Sequence, residues 1–187
     1  MKRNLPTFFL IVFFALIGCR KDPIIDNTTN GIKFVPGDLI VGITKETELS
    51  TVFDTLNSLE ISIKNVKGFH YKCYLPADSV NYLIKLFNQK PYVKTDNWAA
   101  TKGNVYFSVK ENAILLLFLK FNMKLEYQID FLETIKKMGL IDMKSDFRSM
   151  HLNVPIGTEK FWLNELKKYS FIRWTELNLM GTIKPQN

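Results

Sequence analysis

Cysteine and histidine are the side chains best suited to nucleophilic or metal chemistry, and this chain of 187 residues has two of each. Cys19 stands near the start, Cys73 lies within the central part of the chain, and His70 and His151 are far apart in sequence. No HExxH motif, paired CxxC motif or cluster of His and Asp gives metal-ligand spacing. We therefore expect no metal ion and no other cofactor.

Motifs for covalent or nucleotide chemistry are also missing from the sequence. There is no GxSxG elbow, no GxGxxG and no P-loop. The 18 carboxylates are scattered, and the closest pair, Asp142 with Asp146, is expected in a solvated hairpin. The sequence thus predicts a protein that is not an enzyme. A hydrolase stays an alternative, because a glycosidase needs only two acids in a cleft.

Aromatic side chains offer binding rather than catalysis. Trp98 lies in a polar stretch (DNWAATKGN) with no apolar period, and Tyr106 and Phe107 follow closely. Aromatic rings in such a place can stack on sugars or anchor a partner protein. We take Trp98, Tyr106 and Phe107 as candidate binding residues, with simple packing of Trp98 as the alternative. Trp162, in a helical pattern, is expected to pack in the core.

The first residues carry the pattern of an export signal. Lys2 and Arg3 precede an apolar run at residues 8–17, and Gly18 and Cys19 follow. This order is typical of a secretory signal peptide. The apolar run is shorter than the roughly 20 residues of a membrane-spanning helix, so an uncleaved anchor is the weaker alternative.

Leu16-Ile17-Gly18-Cys19 resembles the lipobox of bacterial lipoproteins. The resemblance implies cleavage between Gly18 and Cys19, and acylation of Cys19 with fatty acids such as palmitate. Several acyl chains on one residue give a stable membrane anchor. It also implies a location in the cell envelope, lipid-anchored to the outer membrane on its periplasmic or surface face.

Residues 19–33 are polar, lack a helix or strand period and are expected to form a flexible tether. Arg20-Lys21-Asp22 resembles the charged export signals of some Bacteroidetes lipoproteins. Loss of residues 1–18 lowers the formal net charge from +7 to +5, which favours anionic headgroups or acidic glycans. The predicted location in the cell envelope, outside the cytoplasm, excludes nucleic acid as a partner.

The rest of the sequence contains an internal duplication with an offset of 79 residues. Its clearest stretches match Leu75-Pro76 with Val154-Pro155 and Tyr92-Val93-Lys94 with Phe171-Ile172-Arg173. Helical stripes match as well, since Val52, Phe53, Leu56 and Leu59 fall on Phe131, Leu132, Ile135 and Met138. Repeats of this kind indicate a duplicated structural unit.

Each copy predicts the order β-α-β-β-α-β, with Ser79 and Thr158 as N-caps of the second helices. That order is typical of the ferredoxin-like fold, an antiparallel four-stranded sheet with both helices on one face. We predict an α+β protein with unit 1 at residues 34–100 and unit 2 at residues 101–187. Residues 104–110 would add a strand or hairpin arm before unit 2. A single mixed α+β domain is the alternative.

The duplication also bears on Cys73. With Cys19 acylated, Cys73 has no partner for an internal disulfide and could be a reactive thiol. Its counterpart under the offset is Leu152, an apolar residue. We therefore expect Cys73 to fill a core position as a small hydrophobic side chain.

Residues 34–41 (FVPGDLIV) resemble the "PGELIV" opening of the propeptide and inhibitor domains of subtilisin-like proteases. Those domains are ferredoxin-like, pack their sheet on the protease and insert the tail that follows the last strand. The resemblance implies a protein partner, which for this chain would be a separate subtilisin-like protease. Residues 96–102 or 177–187 would then be the inserting tail. No catalytic domain follows in this chain. We expect a lipid-anchored binding module for a protein, with a glycan-binding accessory lipoprotein as the alternative.

Overall fold

The computed structural model describes residues 28–29, 32–95, 98–99, 101 and 103–180. Within these residues there are four α-helices. They are α1 (Leu49–Ser58), α2 (Val80–Asn88), α3 (Leu125–Lys137) and α4 (Glu159–Leu166). A single 3-10 turn at Ala77–Ser79 leads into α2.

The same residues form short and long strands that alternate with the helices. In chain order they are β1 (Thr28–Thr29), β2 (Ile32–Ile43), β3 (Ser62–Lys67), β4 (Tyr71–Cys73), β5 (Lys94–Thr95), β6 (Trp98–Ala99), β7 (Val105–Ser108), β8 (Ala113–Leu116), β9 (Lys120–Phe121), β10 (Ile141–Asp142), β11 (Ser149–Asn153) and β12 (Ile172–Leu179). The predicted α+β class, with two antiparallel sheets and ferredoxin-like units, is confirmed.

Two sheets carry the fold. Sheet one has the strand order β12-β2-β11-β3-β9, with β1 paired to the beginning of β2. Sheet two has the order β10-β4-β8-β7, and among the described residues β5 pairs only with β6. All of these pairings are antiparallel.

The two copies of the repeat are interleaved in space. Sheet one joins β2 and β3 of the first copy to β9, β11 and β12 of the second. Sheet two joins β4 of the first copy to β8 and β10 of the second. The sequence boundary at residue 100 therefore separates the repeats along the chain, but strands pair across it in both sheets.

The exchange happens where each copy passes from its second strand to its third. Residues 68–70 take the first copy from sheet one to sheet two, and residues 143–148 take the second copy back. The two connections touch at positions related by the offset of 79. The Arg148 guanidinium lies 4.6 Å from the centre of the Phe69 ring. A Cβ on Gly68, where φ is +73°, would lie 2.1 Å from the Phe147 carbonyl oxygen. Only glycine allows so close a crossing.

The predicted core face of α1 is confirmed, whereas Leu132, Ile135, Met138 and Trp162 pack against the core but are only partly buried. Helix α1 buries Leu49, Val52, Phe53 and Leu56, the stripe expected from its 3.6-residue period. Cys73 is 2% exposed and Leu152 is fully buried, so the repeat-related pair shares an apolar environment. Burial raises the pKa of the Cys73 thiol, which disfavours the reactive thiolate.

Several local predictions differ from the structure. Ser79 and Thr158 precede α2 and α4 as expected, but neither side chain makes a capping hydrogen bond. The match of Tyr92-Val93 with Phe171-Ile172 predicts a strand as the last element of the first copy, but Tyr92 and Val93 form a buried turn before β5. The predicted tether also reaches too far, since Thr28–Thr29 already pairs with the beginning of β2.

The Pro36-Gly37 motif shapes β2. Gly37 has a φ of +75°, and a Cβ there would lie 3.0 Å from the Val154 carbonyl oxygen. Its N–H donates to Oε1 of the buried Glu159, at 2.6 Å. Glu159, the first residue of α4 in the second copy, is thus hydrogen-bonded to β2 of the first copy. Burial opposes ionisation of Glu159, but bonds from backbone N–H groups lower its pKa overall.

Candidate functional site

Sheet one presents a continuous outer face, on the side away from its helices. Helices α1 and α4 pack on the inner face, where the Thr175 hydroxyl donates to the Leu163 carbonyl at 3.0 Å. Two rows of side chains lie on the inner face. One row is Thr175, Val41, Met150, Val66 and Lys120, and the other is Leu177, Leu39, Leu152 and Ile63. Alternation along each strand sends the intervening side chains to the outer face.

Two rows define this outer face, and most of their side chains keep partial exposure. The first row across the strands is Trp174, Gly42, Ser149 and Lys67, and the second is Glu176, Ile40, His151, Asn65 and Phe121. The second row begins with the acid Glu176 and the apolar Ile40, continues with two polar residues and ends at Phe121. A partner that lies across the strands would meet all of these in turn.

The Trp174 indole occupies the space beside the Cα of Gly42. A Cβ at that glycine would come 2.2 Å from the indole Nε1, so any other residue would displace the ring. The sequence did not mark Trp174 as a binding residue. Its placement depends on the pairing of β12 with β2, which joins the last strand of one copy to the first strand of the other.

Charged groups flank His151 on the same face. Asp38, which is buried, pairs with Lys64 and accepts a hydrogen bond from Asn178 at 3.2 Å. Burial and the nearby Lys67 lower the pKa of His151, against a smaller effect of Asp38. The imidazole is therefore mainly neutral at pH 7 and can both donate and accept a hydrogen bond. Within the described residues Lys67 forms no ion pair.

The structure separates the predicted aromatic residues. Tyr106 is 41% exposed and lies on the outer face of sheet two, in a row with Leu115, Lys72 and Ile141. Phe107, the next residue, points inward and packs against the core. The period of 2 in a strand is the reason, because adjacent residues face opposite sides. Trp98 lies in β6, and its side chain is outside the described part of the structure.

A second exposed tyrosine accompanies Tyr106. Tyr74 is exposed just after β4, and the Lys72 ammonium lies 5.7 Å from the centre of its ring. Lys72 also pairs with Glu111 at 3.7 Å. Leu115 and Ala113 lie between the two tyrosines on β8 and are buried. The outer face of sheet two is therefore an apolar floor with aromatic and charged groups on both sides.

Buried charges occur where the two copies cross. Lys120 is 1% exposed, donates to the Phe69 carbonyl at 2.5 Å and lies 5.2–5.3 Å from the rings of Tyr71, Phe118 and Phe131. Burial lowers the pKa of Lys120 to about 7. Arg148, fully buried, pairs with Asp142 and donates to the Thr47 carbonyl at 3.0 Å. The bonds from Lys120 to Phe69 and from Arg148 to Thr47 join the two halves of the chain. The Lys120 amine is enclosed by protein groups.

Three of the cavities among the described residues are lined by polar or charged side chains. A groove of about 370 Å³ lies beside the end of α1 and the start of α3, where Asn57 and Gln128 exchange hydrogen bonds. A cleft of about 200 Å³ between α2 and α3 holds Asp130, and one of about 140 Å³ holds Asp142 and Glu48.

Asp130, in the cleft between α2 and α3, is held in place by hydrogen bonds. It accepts hydrogen bonds from Lys90 at 2.7 and 2.8 Å and from the Tyr92 hydroxyl at 2.6 Å. Burial opposes ionisation, but the bonds from Lys90 and Tyr92 lower the pKa of Asp130 overall. An acid held ionised in this way is poorly suited to donate a proton at neutral pH.

No protein family, curated protein or solved structure matches this chain. The described residues include no group of three or more His, Cys, Asp or Glu side chains arranged to hold a metal ion. None of the helices in the described part is long and apolar enough to cross a bilayer. Gly18 and Cys19, the predicted cleavage and lipidation residues, lie outside the described residues.

Proposed function

We propose that this chain is a non-enzymatic, lipid-anchored binding protein of the cell envelope, which presents the outer face of sheet one to a protein partner. The observation that carries the proposal is the row Glu176, Ile40, His151 and Asn65, which crosses four strands opposite the helix-covered face. Acylation at Cys19 would hold this surface at the membrane. The lipobox-like Leu16-Ile17-Gly18-Cys19 supports that part of the proposal.

A rigid, mixed surface of this type suits protein recognition. Trp174 and Ile40 offer apolar contact, and tryptophan is enriched among the residues that dominate binding energy. Lys67 and the neutral His151 offer polar contact on the neighbouring strands. The sharpest case within the proposal is inhibition of a separate subtilisin-like protease, which the resemblance of residues 34–41 supports.

A matched pair of substitutions tests which surface binds. Ile40→Arg places a charge on the outer face of sheet one, and Ile141→Arg does the same on sheet two. We expect full-length protein in detergent micelles to reduce the activity of a subtilisin-like protease. Ile40→Arg should lose this effect and Ile141→Arg should keep it. Unchanged protease activity with the wild-type chain would remove the protease case.

A glycan-binding role is the second candidate, and the outer face of sheet two favours it. Tyr74 and Tyr106 flank a buried apolar floor there, an arrangement that suits stacking on sugar rings. We expect wild-type protein to give signals on a glycan array that Tyr106→Ala and Trp98→Ala reduce. Tyr82→Ala, an exposed tyrosine on α2, is the control. Equal signals from all three variants would contradict the glycan role.

A further inference from the structure

The chain that leads from Cys19 enters the structure at one end of sheet one. Thr28 pairs with Lys33 at the beginning of β2, and the Met180 N–H donates to the Lys33 carbonyl at 2.8 Å. The opposite end of the sheet carries Gly42, Ser149 and Lys67, with Phe147 just before β11. The two ends are therefore distinct surfaces.

Exposed apolar side chains gather at the entry end. Ile156 lies beside Gly37, with its Cγ1 3.4 Å from the position of a Cβ on that glycine. Phe161 is on the first turn of α4, whose first residue bonds to the same glycine, and it is 58% exposed. We call this group the entry patch, and its apolar members are Ile156, Phe161, Leu179 and Met180, all exposed.

Positive charge accompanies these apolar groups. Lys33 and Lys160 are exposed beside them, and within the described residues neither forms an ion pair. Exposed apolar side chains next to unpaired lysines suit the interface of a bilayer, where the chains contact acyl groups and the amines contact anionic headgroups.

The length of the preceding chain selects this end for the membrane. Nine Cα-to-Cα steps lead from Cys19 to Thr28, so the reach is at most about 30 Å at full extension. The ten steps from Lys33 to Ile43 along β2 span about 33 Å. The far end could touch the bilayer only if the preceding chain ran back along the whole sheet. The entry end needs no such path.

We infer that the entry patch docks on the bilayer surface and fixes the orientation of the body, so that the outer face of sheet one stands at the side of the molecule rather than against the membrane. This inference rests on the proposed lipid anchor. It adds a second contact to that anchor, made by folded residues with acyl chains and anionic headgroups.

A pair of labelled variants tests the inference in the full-length lipoprotein. Phe161→Cys and Phe147→Cys each carry a bimane label, in a Cys73→Ala background. Both original phenylalanines are exposed, and Phe147 is 84% exposed at the far end. The vesicles contain equimolar phosphatidylethanolamine and phosphatidylglycerol, with a doxyl quencher on the acyl chains. We expect loss of fluorescence for the label at position 161 and none for the label at position 147.

Flotation of the same samples separates the possible failures. A chain that floats with the vesicles while both labels stay unquenched would overturn the docking and leave the anchor intact. A wild-type chain that does not float would overturn the anchor, and the inference with it. Lys160→Glu should also weaken quenching at position 161, whereas Lys45→Glu at the far end should not. Equal quenching in both would overturn the role of the lysine.

Discussion

Sheet one and sheet two are assembled from corresponding segments of the repeat, yet they are closed by different strands. In sheet one, the fourth strand of the second copy, β12, lies beside β2. In sheet two, the corresponding place beside β8 is taken by β7, which comes from the segment between the copies. The fourth strand of the first copy is reduced to β5, which in the described part of the chain pairs with β6 alone.

The difference shows how a duplicated chain can diverge without loss of its architecture. Sheet one has a long closing strand of eight residues, and its outer face is mixed and charged. Sheet two has a closing strand of four residues in a tight hairpin, and its outer face has a buried apolar floor flanked by tyrosines. The crossing of residues 68–70 over residues 143–148 ties the two sheets together.

The largest expected effect concerns the buried ion pair at this crossing. Arg148→Ala should lower the free energy of unfolding by about 3–5 kcal/mol, because it leaves Asp142 and the Thr47 carbonyl without their buried donor. Urea denaturation of the full-length chain measures this loss in the free energy of unfolding. The exposed pair Lys45 with Asp146 is the control, and Lys45→Ala should cost less than about 1 kcal/mol. Similar losses in both variants would mean that the crossing does not couple the sheets.

Lys120 makes the stability of the junction depend on pH. The folded amine has a pKa of about 7, and the unfolded one a value near 10.5. Between these values the unfolded chain binds more protons, so the free energy of unfolding rises with pH. Because the two pKa values lie so far apart, the free energy of unfolding should rise by on the order of 3 kcal/mol from pH 7 to pH 10.

Lys120→Met should remove that rise in the free energy of unfolding. Groups that both chains share, such as Cys73, titrate in both, so their contribution drops out when the wild-type and Lys120→Met values are subtracted. The exposed Lys137→Met variant should keep the wild-type dependence on pH. Denaturation at a series of pH values provides the measurement. A Lys120→Met chain with the wild-type slope would show that the amine stays protonated in the fold.

Gly68 tests the close approach of the two connections. Gly68→Ala should cost roughly 3 kcal/mol, since a Cβ meets the Phe147 backbone and the positive φ disfavours alanine. Gly139 also has a positive φ, but a Cβ there would have open space. Gly139→Ala should therefore cost only about 1 kcal/mol by thermal denaturation. Equal costs would remove the crossing as the source of strain.

The last comparison concerns one repeat position, which Leu152 occupies in sheet one and Cys73 in sheet two. Leu152→Ala in sheet one should cost about 2–5 kcal/mol through the cavity that it leaves. Cys73→Ala in sheet two should cost about 1 kcal/mol, because a single sulfur is removed. Urea denaturation of both variants gives the comparison. A larger loss for Cys73→Ala would mean that the thiol does more than fill space.

Much of the fold could be predicted from local patterns. The offset of 79 places α2 on α4 within a residue, and the apolar stripe of α1 is the buried one. The alternation in residues 104–110 predicts an extra hairpin arm, and β7 is that arm. The residues of the candidate site are harder to predict from such local patterns. The sequence predicts Tyr106 and Phe107 as one binding group, but adjacent residues of a strand point to opposite faces.

The sequence by itself determined the order of the elements, the core face of each helix and the burial of Cys73, because periodicity and propensity act over a few residues. Only the tertiary structure decided which strands pair. A turn at residues 68–70 is compatible with a hairpin inside one copy and equally with a passage to the other sheet. The choice depends on the contacts of Phe69 with Arg148 and of Gly68 with Phe147, which lie 79 residues apart. Trp174, Ile40 and His151 come together on one surface for the same reason.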